Sequence, residues 1–134
     1  MNLLVHNDSH YKSIAFDFDG VLSFTSLVFP KVQCLSQIHV FLCKFLSKKG
    51  WIIVLNTARN TKETLMLAED ALVSESCPFS VQDSIGKAIA CLYVDDRSVG
   101  GLPSILSILK DCSRYDKEDY YEGFVKYLQD QWLS

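Results

Sequence analysis

The chain has 134 residues, 49% of them apolar, enough to bury the core of a single domain and too few for a second one. Sixteen acidic against thirteen basic residues give a net charge of -3, with the basic residues scattered rather than clustered. That distribution argues against a nucleic-acid or anionic-membrane footprint. Five cysteines, odd in number and widely spaced (Cys34, Cys43, Cys77, Cys91, Cys112), without a C-x-x-C, exclude a disulfide framework and read as reduced core residues. Neither a basic-plus-apolar leader pattern nor a spanning-length apolar run occurs, so a cytoplasmic chain without a membrane segment is expected.

Residues 1–12 read as an added edge strand or a loose arm, in which His6 and His10 flank an Asn-Asp-Ser turn rather than lie on a helix. Ile14-Ala15-Phe16 is continuously apolar, the mark of a strand buried on both faces, and it runs into Asp17-Phe18-Asp19-Gly20-Val21. Two carboxylates so close repel each other when ionised, and a hard divalent cation such as Mg2+ relieves that repulsion. Gly20 supplies a sharp turn, with φ > 0 accessible, that brings Asp19 back over the strand end. The connection from Ser23 to Lys31 is short and ends at Pro30.

Helical spacing of Leu35, Ile38, Leu42, Phe45 and Leu46 predicts a crossover helix between Val32 and Lys49, closed by Gly50. Trp51 to Asn56 is a second buried strand, followed by Thr57-Ala58-Arg59. Asn60 with Glu63 predicts a capping box for a helix whose apolar face carries Leu65, Ala68 and Leu72. Cys77 to Val81 is a short third strand, and Ile89 to Val94 a fourth that stops at Asp95-Asp96-Arg97. Ile105, Leu106 and Leu109 mark a helix from Leu102, and Arg114 to Asp119 a polar linker. Tyr121, Phe124, Val125, Leu128 and Trp132 give a final helix an aromatic stripe, fit to dock on the sheet or to support a homodimer.

Alternating strands and helices predict an α/β domain, with a core at about 12–112 and a C-terminal helix at about 118–132. The architecture is a Rossmann-like open parallel sheet of about four strands, order 3-2-1-4, with helices on both faces and no room for a cap. Each polar signature falls at the carboxyl end of a strand, where open α/β sheets bind ligands. Arg59 and Arg97, just past two strand ends, are candidates to clamp a phosphate or a substrate carboxylate, with surface salt bridging the alternative.

The D-x-D-G-V string after an apolar strand resembles the first signature of the haloacid-dehalogenase-like (HAD) phosphohydrolases, and the resemblance extends over roughly Ile14 to Arg97. It implies Asp17 as the nucleophile that forms an aspartyl phosphate and Asp19 as the general acid and base. Thr57 matches the second signature, a hydroxyl on the transferring phosphoryl group, with Asn56 as the fallback if the register slips by one. Lys87 stands where the third signature, a charge-neutralising lysine, is expected; it is followed by Ala88 where small relatives often carry proline. Asp95 and Asp96 match the fourth. Asp17, the backbone carbonyl of Asp19 and Asp96 are then the implied Mg2+ donors, with Asp95 positioning Lys87 or exchanging roles with Asp96.

A carboxylate at Asp19 favours a phosphatase over a dehalogenase, because it protonates an alcohol leaving group. The Thr-Ala-Arg-Asn and Tyr-Val-Asp-Asp-Arg strings are similar to small capless HAD phosphatases of phage and capsule-biosynthesis type. Val-Asp-Asp-Arg also resembles the 3'-phosphatase domain of polynucleotide kinase/phosphatases. The expected partner is a phosphorylated substrate, either a small phosphoester or a macromolecular phosphate, with nucleic acid not favoured by charge. The alternatives are a polynucleotide-end 3'-phosphatase and a catalytically silent binding or regulatory module on the same fold.

Overall fold

The structure, a computed structural model, describes residues 12–23, 31–32, 34–80, 92–94 and 105–133. Strand β1 (Ser13–Asp17) is the centre of a parallel three-stranded sheet, flanked by β2 (Ile52–Asn56) and β3 (Leu92–Val94) in the order β2-β1-β3. The register sets Asp17 opposite Asn56 and Phe16 opposite both Leu55 and Val94. Period-two alternation divides the strands between two buried faces. Ile14, Phe16, Ile53, Leu55 and Val94 enter the main core, whereas Ala15 and Val54 pack with Tyr93 on the other side. The continuous apolar runs are thus accounted for by burial on both faces.

Beyond β2 the expected third strand is represented, among the described residues, by one bridge. Ser80 pairs with Val54, its N–H donating to Ile53 at 2.7 Å and its carbonyl accepting from Leu55 at 2.9 Å. Pro78, which has no N–H, stands two residues before this pairing and shortens the ladder that segment can form. The described sheet is therefore open and three-stranded.

Among the described residues four helices flank it: α1 (Gln37–Lys48), α2 (Lys62–Ser74), α3 (Ile105–Asp116) and α4 (Tyr120–Leu133). Helix α1 starts at Gln37, not Val32, because Leu35 is held in a bridge to Ser23 and the N–H of Ser36 donates to Leu22 at 2.7 Å. Its buried face is His39, Val40, Leu42, Cys43, Phe45 and Leu46, while the expected Ile38 is exposed. The capping box of α2 is one residue later than Asn60/Glu63. Thr61 accepts from the Thr64 N–H at 3.2 Å and the Thr64 hydroxyl reaches back to the Thr61 N–H. Helix α3 buries Ile108, Leu109 and Cys112 and leaves Leu106 in solvent; it continues to Asp116, so only Lys117 to Asp119 link it to α4.

Helix α4 buries Tyr120 and Phe124, one step round from the expected Tyr121 and Val125, both exposed. The Trp132 side chain is not among those described. Phe45 of α1 lies against Tyr120, Phe124 and Tyr127, with ring centroids 5.4–5.9 Å apart. A glycine at 123 permits that approach, since a Cβ there would stand 3.2 Å from the Phe45 ring. At the amino-terminal end of the sheet, Tyr120 accepts from the Trp51 indole N–H at 3.0 Å and donates to Asp116. Lys12 donates to Asp116 at 2.8 Å and to the Lys49 carbonyl at 2.7 Å. This partly buried polar group ties both C-terminal helices to the strand edge opposite the acidic turn. No described helix is long and apolar enough to cross a membrane.

Candidate active site

Chain reversal after β1 creates the site. Gly20 has φ 90°, the left-handed region in which a side chain is strained, as its place in the sequence predicts. The turn closes on itself: Leu22 N–H donates to the Asp17 carbonyl at 3.3 Å, Ser23 N–H to Phe18 at 2.9 Å, and Gly20 N–H to Ser23 at 3.0 Å. Phe18 and Leu22 are fully buried, which anchors the turn and leaves Asp17, Asp19 and Gly20 half-buried at its rim.

Parallel pairing then sets the end of β2 beside this rim. Asn56 lies directly across from Asp17, and Thr57 follows it, half-buried. The Thr57 hydroxyl oxygen accepts the Arg59 N–H at 3.1 Å, a local turn that fixes the side chain and leaves its proton as the group to donate. Asp17, Gly20, Asn56 and Thr57 therefore converge at the carboxyl edge, as the sequence predicts.

Arg59 is drawn into the protein rather than outward. Its side chain is 1% exposed and forms a bidentate pair with Asp19: Nε to Oδ2 at 2.9 Å and Nη2 to Oδ1 at 2.8 Å. Nη1 donates to the Thr64 carbonyl in the first turn of α2 at 2.8 Å, and the guanidinium lies 5.1 Å from the centroid of the Phe18 ring. Planar fork geometry and stacking are arginine properties that lysine does not reproduce. Of the two roles expected for Arg59, neither substrate clamp nor surface salt bridge describes this contact. It is a buried brace on Asp19. Sequence reasoning missed the partner although both residues were singled out, because they meet only through the parallel β1–β2 pairing. Phe18, between the two aspartates, is the available signal: an aromatic ring there forms the floor on which the guanidinium rests.

The residues fit a divalent cation in part. With both Asp19 oxygens engaged by Arg59, its backbone carbonyl is the better donor, and this carbonyl takes no part in the turn's hydrogen bonds, unlike those of Asp17 and Phe18. Hard cations with several waters need few protein oxygens, and Asp17 with the Asp19 carbonyl supplies two. Among the described residues no group of three or more His, Cys, Asp or Glu side chains assembles. The expected Lys87, Asp95, Asp96 and Arg97 lie outside the described residues, as do His6 and His10. Strand β3 ends at Val94, paired with Phe16.

No family model and no curated protein matches the chain. Among solved structures, a conserved protein from Bacteroides thetaiotaomicron is similar at a TM-score of 0.64 and 24% identity, over 81% of this chain and 93% of that one. The likeness is one of fold.

Proposed function

We propose that the chain is a Mg2+-dependent phosphomonoesterase of the HAD type that acts through an aspartyl phosphate on Asp17. The observation that supports it best is the convergence at one strand edge of Asp17, the Thr57 hydroxyl and an Asp19 carboxyl fixed by Arg59. In this reading an Asp17 oxygen attacks phosphorus as the bond to the leaving oxygen breaks. Asp19, entering this step as the carboxylic acid with its proton on a position Arg59 does not occupy, gives that proton to the leaving oxygen, then as the carboxylate takes one from the water that attacks the aspartyl phosphate and regenerates Asp17. Arg59 occupies two of the roughly four acceptor positions of a carboxylate, so the 40% exposed Asp19 side chain retains positions for the travelling proton. Thr57 donates its hydroxyl proton to a phosphoryl oxygen. Asp17, the Asp19 carbonyl and one of Asp95/Asp96 would hold Mg2+, which when bound neutralises charge between nucleophile and phosphate. Lys87 adds a second positive charge.

The substrate class is a phosphomonoester, small or macromolecular. Hydrolysis of an aryl phosphate with and without Mg2+, for the wild type, Asp17→Asn and Asp19→Asn, tests the proposal. Metal-dependent release lost in both variants supports it; release that survives Asp17→Asn refutes the nucleophile.

A further inference from the structure

Helix α1 is not capped as α2 is. Ser36 has the extended backbone of an N-cap residue, φ -74° and ψ 109°, and its carbonyl accepts the Val40 N–H at 3.0 Å, yet its hydroxyl caps no helical N–H. In a capping box the N-cap hydroxyl takes the backbone N–H three residues on, as Thr61 does at the start of α2. The Ser36 hydroxyl is joined instead to the side chain three residues on, Nδ1 of His39, at 2.7 Å. The Ser36 N–H leaves the helix altogether and donates to the Leu22 carbonyl at 2.7 Å.

These two bonds lead to the site. The Leu22 N–H donates to the Asp17 carbonyl at 3.3 Å, and Leu35, next to Ser36, bridges Ser23, which in turn bridges Asp19. The backbones of both aspartates are thereby tied to the first turn of α1 through Leu35 and Ser36. Leu22, Ser23, Leu35, Ser36 and His39 are all buried, so water does not compete for these bonds. An apolar side chain at position 39 would avoid the cost of His39 Nε2, which is buried with no hydrogen-bond partner among the described residues. What the imidazole supplies in return is the bond from Nδ1 to Ser36.

We propose that Ser36 and His39 are positioning residues for phosphoryl transfer: their buried hydrogen bond fixes the Leu35-Ser36 segment, which clasps the turn after β1 and holds Asp17 at the distance and angle that attack on phosphorus requires. The catalytic half of this inference rests on the phosphomonoesterase reading, and the clasp itself does not. In-line attack tolerates little displacement of the nucleophile, and a misplacement of about 1 Å costs up to about 100-fold in rate. Asp17 is also held by its pairing with Asn56, so loosening the clasp displaces it by less than that, and a fall of about tenfold is expected.

The test combines amide hydrogen exchange of the full chain with steady-state hydrolysis of an aryl phosphate in Mg2+, for wild type, Ser36→Ala, His39→Leu and His39→Asn. Ser36→Ala removes one oxygen and, because that oxygen caps nothing, isolates its bond to His39; it carries the test should His39→Leu fail to fold. In Ser36→Ala and His39→Leu the amides of Leu22, Ser23 and Ser36 should exchange roughly 5- to 100-fold faster, with Leu65 in α2 unchanged. The same variants should lose about tenfold in kcat with KM within about twofold. His39→Asn, whose amide sets a polar atom near the place of Nδ1, should restore most of both. Unchanged exchange at Leu22 and Ser36, a His39→Asn as impaired as His39→Leu, or a loss confined to KM overturns the proposal. Faster exchange beside an inert wild type sinks the phosphatase reading and keeps the clasp, whereas unchanged exchange sinks the clasp whether or not the wild type turns over.

Discussion

Arg59 and Asp19 invite a double-mutant cycle. Two charge-assisted hydrogen bonds join them, and the arginine side is 1% exposed whereas the carboxylate side is 40% exposed. A fully buried pair broken on one side costs about 3–5 kcal/mol, but exposed pairs are worth only about 0.2–1 kcal/mol. With one partner reaching water, an interaction of about 1–2 kcal/mol lies between those limits. Urea denaturation of wild type, Arg59→Gln, Asp19→Asn and the double variant gives the coupling directly. Arg59→Lys should recover only a small part, because a lysine replaces the bidentate fork with a point charge. Turnover by Arg59→Gln should fall about 10- to 100-fold through displaced Asp19, with KM little changed, since the brace acts on the proton-transfer group. Coupling below about 0.3 kcal/mol, within the error of additivity, would refute the brace.

Tyr120→Phe removes the hydroxyl that accepts from Trp51 and donates to Asp116, and should cost about 1–2 kcal/mol in urea denaturation without altering turnover. Thr61→Ala should cost about 1 kcal/mol, read in the same way, by opening the α2 capping box. Burial holds the His39 imidazole below the usual 6.5, with Nδ1 bonded to the Ser36 hydroxyl at 2.7 Å and Nε2 buried with no hydrogen-bond partner among the described residues. The unfolded chain therefore binds the proton first: His39's contribution is complete above 6.5 and is lost as pH falls through the lower folded value. His39→Gln should flatten the fall of stability with pH below 6.5 relative to wild type, and an unchanged slope in thermal melts would contradict this.

The parts of the fold legible in the sequence were those with local causes. Ile14 to Phe16 and the run after Trp51 are apolar on both faces because both faces are buried, and Gly20 turns where a left-handed residue is required. Helix faces were less exact. Ile38, Leu106 and Tyr121 border the apolar stripes of their helices, and hydrophobicity alone does not say which border faces solvent; packing against Phe45, Ile108 and Tyr120 does. Similarly, Thr61 rather than Asn60 caps α2, a one-residue choice that depends on where Arg59 is pulled. Contacts that join distant segments, Arg59 with Asp19 and Lys12 with Asp116, left no local pattern to read. At the site, Asp17, Gly20, Asn56 and Thr57 lie at one edge because strand ends and a turn put them there, whereas the burial of Arg59 against Asp19 depends on tertiary packing that no local pattern encodes.

The most direct test of the central claim is rapid acid quench of the protein mixed with a phosphomonoester and Mg2+, followed by peptide mapping for bound phosphate. The account predicts phosphate on the peptide containing Asp17, on Asp17 itself, and its accumulation in Asp19→Asn if hydrolysis of the intermediate is slowed more than its formation. Turnover with phosphate on another residue, or sustained turnover by Asp17→Asn, would contradict it.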